Sequence, residues 1–264
     1  MKRPLLITGI VPGYPNTPTS LSIAQTLLDS GADILELSAS FSESIADGKT
    51  LQLAHNAVLA SGFTKSEAFD LYKKIKGLRA LSSLPAPLFL IEYANIIYHY
   101  GIDAYYKKAA EVGINYVLIP DVPLEEAIPF VEAAQKHGIA HIFMLAPTTP
   151  DERVKKSVEL AKRATTKQPL STFLYLVSVT GVTGSRTDLR KETVDFIRRI
   201  RSLTDLPLIV GFGISKQEHI KAVTDAGADG IVTCSAIVDI VHNLRDEKDK
   251  MLRAIAGYVK NLRE

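Results

Sequence analysis

The chain has 264 residues, one cysteine, no tryptophan and a formal net charge of +2. Hydrophobic residues make up 46% and charged residues 23%, which excludes a disordered or collagenous chain and gives no electrostatic case for a nucleic-acid partner. Lone Cys234 cannot form an internal disulfide, and cytoplasmic residence fits that usage. No apolar run reaches the roughly 18 residues of a membrane span, so no membrane partner is expected.

The N-terminal MKRPLLITGIVPGYP joins two basic residues to a short apolar run. Pro4 and Pro12 bracket the run and no small-residue cleavage site follows, so it reads as a buried strand rather than a signal peptide. Further apolar runs follow at Asp33–Leu37, Pro87–Ile91, Tyr116–Ile119, His141–Leu145, Phe173–Val177, Leu208–Val210 and Gly230–Thr233, after the first at Leu5–Val11. They are nearly continuous in Leu, Ile, Val and Phe, the pattern of strands covered on both faces in a parallel sheet.

The segments between carry helix signals. Thr17-Pro18 reads as an N-cap followed by Pro at the first helical position, and Thr149-Pro150 opens another helix. Thr64 with Glu67, and Ser215 with Glu218, have capping-box spacing. Gly77, Gly113, Gly138 and Gly227 fall where helices should stop. Met251, Leu252, Ile255, Val259 and Leu262 share one face of a final amphipathic helix. Eight strands, each followed by helix, give the α/β class and a (β/α)8 TIM barrel with a short extra helix after strand eight. No linker divides residues 1–264, which are read as one domain; a doubly wound open sheet is the alternative.

In such a barrel the chemistry sits in the loops after the strands. Glu36 lies near the end of the second apolar run, where a carboxylate costs free energy unless it has a partner or a function. Its bland role is a structural ion pair. Asp47, in Ala46-Asp47-Gly48, is either a helix cap or a second catalytic carboxylate. Gly181–Ser185, Gly211–Ser215 and Thr233–Val238 follow the last three strands, with Ser235 opening the extra helix. Backbone N–H groups and a helix dipole there suit a phosphate. The six histidines show no metal-ligand spacing, and no nucleophile elbow, Walker loop or dinucleotide fingerprint is present. Tyr93 reads equally as pocket wall or reactive group.

These stretches together resemble the tryptophan synthase α subunit. The resemblance runs from about residue 5 to the C-terminus through GADILEL, FSESIADG, YAN, IPDVPLEEA, APTTPDER, YLVSVTGVTG, GFGIS and CSAIV. It implies retro-aldol cleavage of indole-3-glycerol phosphate to indole and glyceraldehyde 3-phosphate. Glu36 then matches the acid–base carboxylate and Asp47 the carboxylate on the indole N–H. Gly184, Gly213, Cys234 and Ser235 match phosphate-binding positions. Tyr93, Tyr175 and Phe212 match walls of the indole slot, and Thr183 the closing loop after strand six. The resemblance implies no metal and no cofactor in this chain, pyridoxal phosphate belonging to a β partner in a linear αββα assembly.

Departures cluster at the catalytic end. Ser38 stands for a usual glycine, Ser40 and Ser44 for prolines, Glu43 for Asp and Lys49 for Pro. Losing the prolines should enlarge the ensemble of this loop. Cys234 replaces a glycine, which would cost free energy if the position needs positive φ. Tyr14 replaces an Asp, Val179 an Arg, and Glu92 puts a charge beside Tyr93. Beside an active lyase, these leave open an α-like subunit that only binds and activates a β subunit, and a stand-alone lyase acting on a related indole phosphate. The family's short helix before the first strand has no counterpart, so the barrel bottom should be covered otherwise or left more open.

Overall fold

The computed structural model describes residues 3–78, 86–167, 170–177, 191–211 and 217–263. In chain order the elements are β1 (Leu5–Ile10), α1 (Thr17–Asp29), β2 (Ile34–Ser38), α2 (Lys49–Ala60), α3 (Lys65–Lys76), β3 (Leu88–Ile91), α4 (Ala94–Tyr100), α5 (Ile102–Glu111) and β4 (Ile114–Leu118). A 3-10 turn at Leu124–Glu126 precedes α6 (Ile128–His137) and β5 (Ala140–Leu145). Then come α7 (Asp151–Arg163), β6 (Leu174–Val177), α8 (Lys191–Arg201), β7 (Leu208–Gly211), α9 (Gln217–Asp225), β8 (Gly230–Thr233), α10 (Ser235–Leu244) and α11 (Lys248–Asn261).

The eight strands pair in sequence order, all parallel, and β8 closes on β1 with Leu5 opposite Gly230. This is the expected barrel rather than an open sheet. Alternation along each strand divides the apolar residues into two cores. Ile7, Ile34, Phe89, Tyr116, Ile142, Phe173, Ile209 and Val232 fill the barrel. The alternate positions, such as Leu6, Leu35, Leu90, Val117, Leu176 and Val210, meet the helices. The continuous apolar runs follow from burial on both faces. Helix α10 is the extra helix after strand eight, and α11 packs on α1. No helix among the described residues is long and apolar enough to cross a membrane.

Two helix starts differ from expectation by one residue. Asn16, not Thr17, caps α1: its extended backbone lets the side chain accept from the Thr19 N–H at 2.9 Å, and Pro18 falls second in the helix. Pro150 is the cap residue of α7 rather than its first helical residue, and Thr149 Oγ1 accepts from the Ala146 N–H instead. The Thr64–Glu67 capping box forms with both reciprocal bonds. Ser215 lies outside the described residues. Gly138 ends α6 in the left-handed region at φ 69°, whereas Gly77 ends α3 in an ordinary right-handed conformation.

Side chains of the barrel itself pack its bottom. Leu5 and Leu170 pack against the interior cluster, and the Tyr116 hydroxyl donates to the Leu170 carbonyl at 3.0 Å. Beside them Arg263, just past α11, donates to the Gly31 and Pro4 carbonyls and to Asp33. Asp33 in turn accepts from the Leu6 N–H at 2.8 Å and pairs with Arg3. The C-terminal helix is thereby clasped to the N-terminal ends of β1 and β2.

Candidate active site

Glu36 shares the inward face of β2 with Ile34 and lies opposite Gly9 of β1 in the sheet register. It is 2% exposed, and among the described residues it forms no ion pair and its Oε2 has no hydrogen-bond partner. None of the described residues gives it the structural ion pair. Burial first, then the nearby Asp47 charge, raise its pKa to about 8, against hydrogen bonds from Cys234 and Tyr175 that favour the charged form. Glu36 thus holds a proton at neutral pH in the mouth of the barrel.

Two glycines make room around it. A side-chain carbon on Gly9 would lie 2.5 Å from Cβ and Sγ of Cys234 and 2.8 Å from Glu36 Oε1. One on Gly211 would lie 2.5 Å from the Tyr175 hydroxyl. Tyr175 and Cys234 occupy those spaces, and burial raises the pKa of both, so both stay protonated donors. Cys234 has φ −130°, so it avoids the left-handed backbone and the feared strain of a non-glycine residue is absent.

Asp47 is not a helix cap. Gly48 is the cap residue of α2, and it makes no side-chain cap bond. The Asp47 carboxylate instead accepts from the Tyr93 hydroxyl at 2.8 Å on Oδ2, and His55 Nε2 lies 3.4 Å from the same oxygen. Tyr93 also accepts from the Ala46 N–H at 3.2 Å and stacks on Phe41 with ring centroids 4.8 Å apart. Tyr93, expected as a pocket wall, is thus also the tether of the Asp47 loop. The loop has further ties: the Asp47 N–H donates to the Ser44 carbonyl at 3.0 Å, and Gln52 donates to the Asp47 carbonyl at 2.9 Å.

Two other departures, Glu92 and Tyr14, find partners as well. Glu92 is fully buried and accepts from Lys65 Nζ and the Tyr105 hydroxyl, each at 2.6 Å, so its charge is compensated at the end of β3. Tyr14 bonds His242 on α10 at 2.9 Å. Cys234 and Ser235 stand at the cap and first position of α10, whose first N–H groups have no acceptor within the helix. Val179, Thr183, Gly184, Phe212 and Gly213 lie outside the described residues. No cluster of metal-ligating residues occurs among the described ones. Sequence reasoning missed His55 and Gly9. His55 sits in the core stripe of α2 with Leu51, Ala54 and Val58, where a lone histidine gives little signal.

A closed parallel barrel with a buried proton-bearing carboxylate at its mouth, and a second carboxylate tethered beside it, defines a barrel enzyme of acid–base type. The family model described as tryptophan synthase alpha chain matches residues 1–264, and the chain belongs to that family. The alpha chain of Methanothermobacter thermautotrophicus is 40% identical over 254 residues, covering 95% of this chain and 89% of that protein. That of Vibrio vulnificus strain CMCP6 is 39% identical over 250 residues, covering 94% and 88%. A solved tryptophan synthase α2β2 complex from Pyrococcus furiosus contains a chain 33% identical, with TM-score 0.86 and 99% coverage of both chains.

Proposed function

We propose that this chain, one barrel domain over residues 1–264, cleaves indole-3-glycerol phosphate to indole and glyceraldehyde 3-phosphate as the α subunit of a tryptophan synthase. The observation that carries the proposal is Glu36, buried without a cation partner among the described residues and holding its proton at neutral pH. Protonated Glu36 gives its proton to indole C3, which makes the ring electrophilic. The glycerol hydroxyl then loses its proton to the Glu36 carboxylate. The C–C bonding pair returns to the ring as the aldehyde carbonyl forms. Asp47 accepts from the indole N–H and stabilises the positive charge that develops after protonation. Such a positioned acid–base group contributes about 10²–10⁴-fold.

Tyr175 lies beside Glu36 and is assigned to the wall of the indole slot by resemblance. The α10 N-terminus at Cys234 and Ser235, with Gly184 and Gly213, holds the phosphate by resemblance. Thr183 and Phe212 are assigned to loop closure and the indole slot on the same ground. No cofactor is assigned to this chain; the proton transfers need only its carboxylates, and pyridoxal phosphate is assigned to the β partner. The α2β2 assembly of the Pyrococcus furiosus relative supports a β-subunit partner, in an αββα arrangement.

Indole release from indole-3-glycerol phosphate, measured with and without a tryptophan synthase β subunit, tests the proposal. Release that rises when the β subunit is added is expected. No release in either condition overturns it.

A further inference from the structure

We propose that His55 is a positioning residue for Asp47, holding its carboxylate from the α2 side while Tyr93 holds it from the end of β3. The inference rests on the assignment of Asp47 to the indole N–H. His55 is fully buried on α2. Its Nε2 faces Asp47 Oδ2 at 3.4 Å and Ser38 Oγ at 3.4 Å, while its Nδ1 has no partner among the described residues. Among the described residues the polar contacts of the ring converge on one nitrogen.

That asymmetry selects a tautomer. A proton on Nε2 turns the positive end of the N–H dipole toward the Asp47 carboxylate, lets Ser38 Oγ accept, and leaves only a lone pair unpaired at Nδ1. A proton on Nδ1 would bury an unpaired N–H and turn the Nε2 lone pair on a carboxylate, both of which cost free energy. Nε2–H is thus the form that fits. Oδ2 then has the Tyr93 hydroxyl as its hydrogen-bond donor at 2.8 Å and the His55 N–H as a longer electrostatic contact at 3.4 Å, from different secondary-structure elements. Oδ1 remains for the ring N–H of the substrate. A carboxylate on a loop gains most from such fixing, because misplacement by about 1 Å can cost on the order of 10²-fold in rate. Ser38 joins in by filling the space beside β2 that its glycine counterpart would leave empty.

The test uses the chemical difference between two amides. The Gln side-chain nitrogen reaches the place of Nε2, and that of Asn the place of Nδ1. His55→Gln should keep kcat/KM for indole release within about threefold of wild type, and His55→Asn and His55→Leu should lose about 10-fold or more as the Asp47 carboxylate loses its position. In an Asp47→Asn background the same replacements should cost almost nothing further. Equal losses for Gln, Asn and Leu, or undiminished losses in the Asp47→Asn background, overturn the proposal and leave His55 a packing residue. If His55→Leu does not fold, the Gln and Asn pair decides alone. An inactive wild type would instead count against the lyase reading itself.

Discussion

Gly9 and Cys234 share one space in the barrel mouth: a side-chain carbon on Gly9 would come within 2.5 Å of both Cβ and Sγ of Cys234. The missing side chain on β1 is what admits the thiol at the end of β8, next to Glu36. Gly9→Ala should therefore cost about 1–3 kcal/mol of stability by overpacking. It should also lower kcat/KM, because the new carbon presses on Glu36 Oε1. Cys234→Gly should relieve most of the stability loss in the double variant, a coupling read from denaturant unfolding of the four proteins in the cycle. Additive effects would mean that the two residues do not compete for the space.

The raised pKa of Glu36 has a signed consequence for activity. The acid form is needed to protonate indole C3, so kcat/KM should fall as pH rises through about 8. A pH–rate profile checks this, and the limb should vanish in Glu36→Gln.

The same shift acts on stability. Between its ordinary value of 4.5 and about 8 the folded chain binds more protons at Glu36 than the unfolded chain does. Stability from this group therefore falls as pH rises across that window. Glu36→Gln should have a higher Tm than wild type above about pH 8, with the difference shrinking toward the acid end of the window. Thermal melts of both proteins over that range show it.

Tyr93→Phe keeps the ring stacked on Phe41 but removes the donor to Asp47 and the acceptor for the Ala46 N–H. A hydrogen bond to a charged group is worth about 1.5–3 kcal/mol, so kcat/KM should drop roughly 10- to 100-fold. Tm should also fall, by several degrees, while the stacked ring stays in place. Steady-state kinetics and a thermal melt read the two effects.

Arg263 lies at the opposite end of the barrel. Arg263→Ala removes its bonds to Gly31, Pro4 and Asp33 and frees the end of α11. A loss of about 1–3 kcal/mol of unfolding free energy is expected, with kcat at ambient temperature unchanged. Chemical denaturation together with an activity assay reads both.

The barrel was legible in the sequence because strands covered on both faces leave unbroken apolar runs, and a charge inside one of them, Glu36, stands out. Asp47 was legible as a carboxylate but not as a tethered one: a loop aspartate before Gly48 reads equally well as a helix cap, and only the fold brings Tyr93 and His55 to it. His55 was hidden in an ordinary helical core stripe. Gly9 was hidden because a glycine in a strand shows its purpose only when Cys234 is seen filling the gap. The cap of α1 moved by one residue because Asn16 and Thr17 are both good capping types, and the extended backbone of Asn16 decides between them.

The most direct measurement is single-turnover indole release from indole-3-glycerol phosphate by wild type and Glu36→Gln, both shown to be folded and both saturated with β subunit. Release by wild type and a loss of about 10²-fold or more in Glu36→Gln is the expected result. Equal rates in the two proteins would contradict the assignment of Glu36 as the proton carrier.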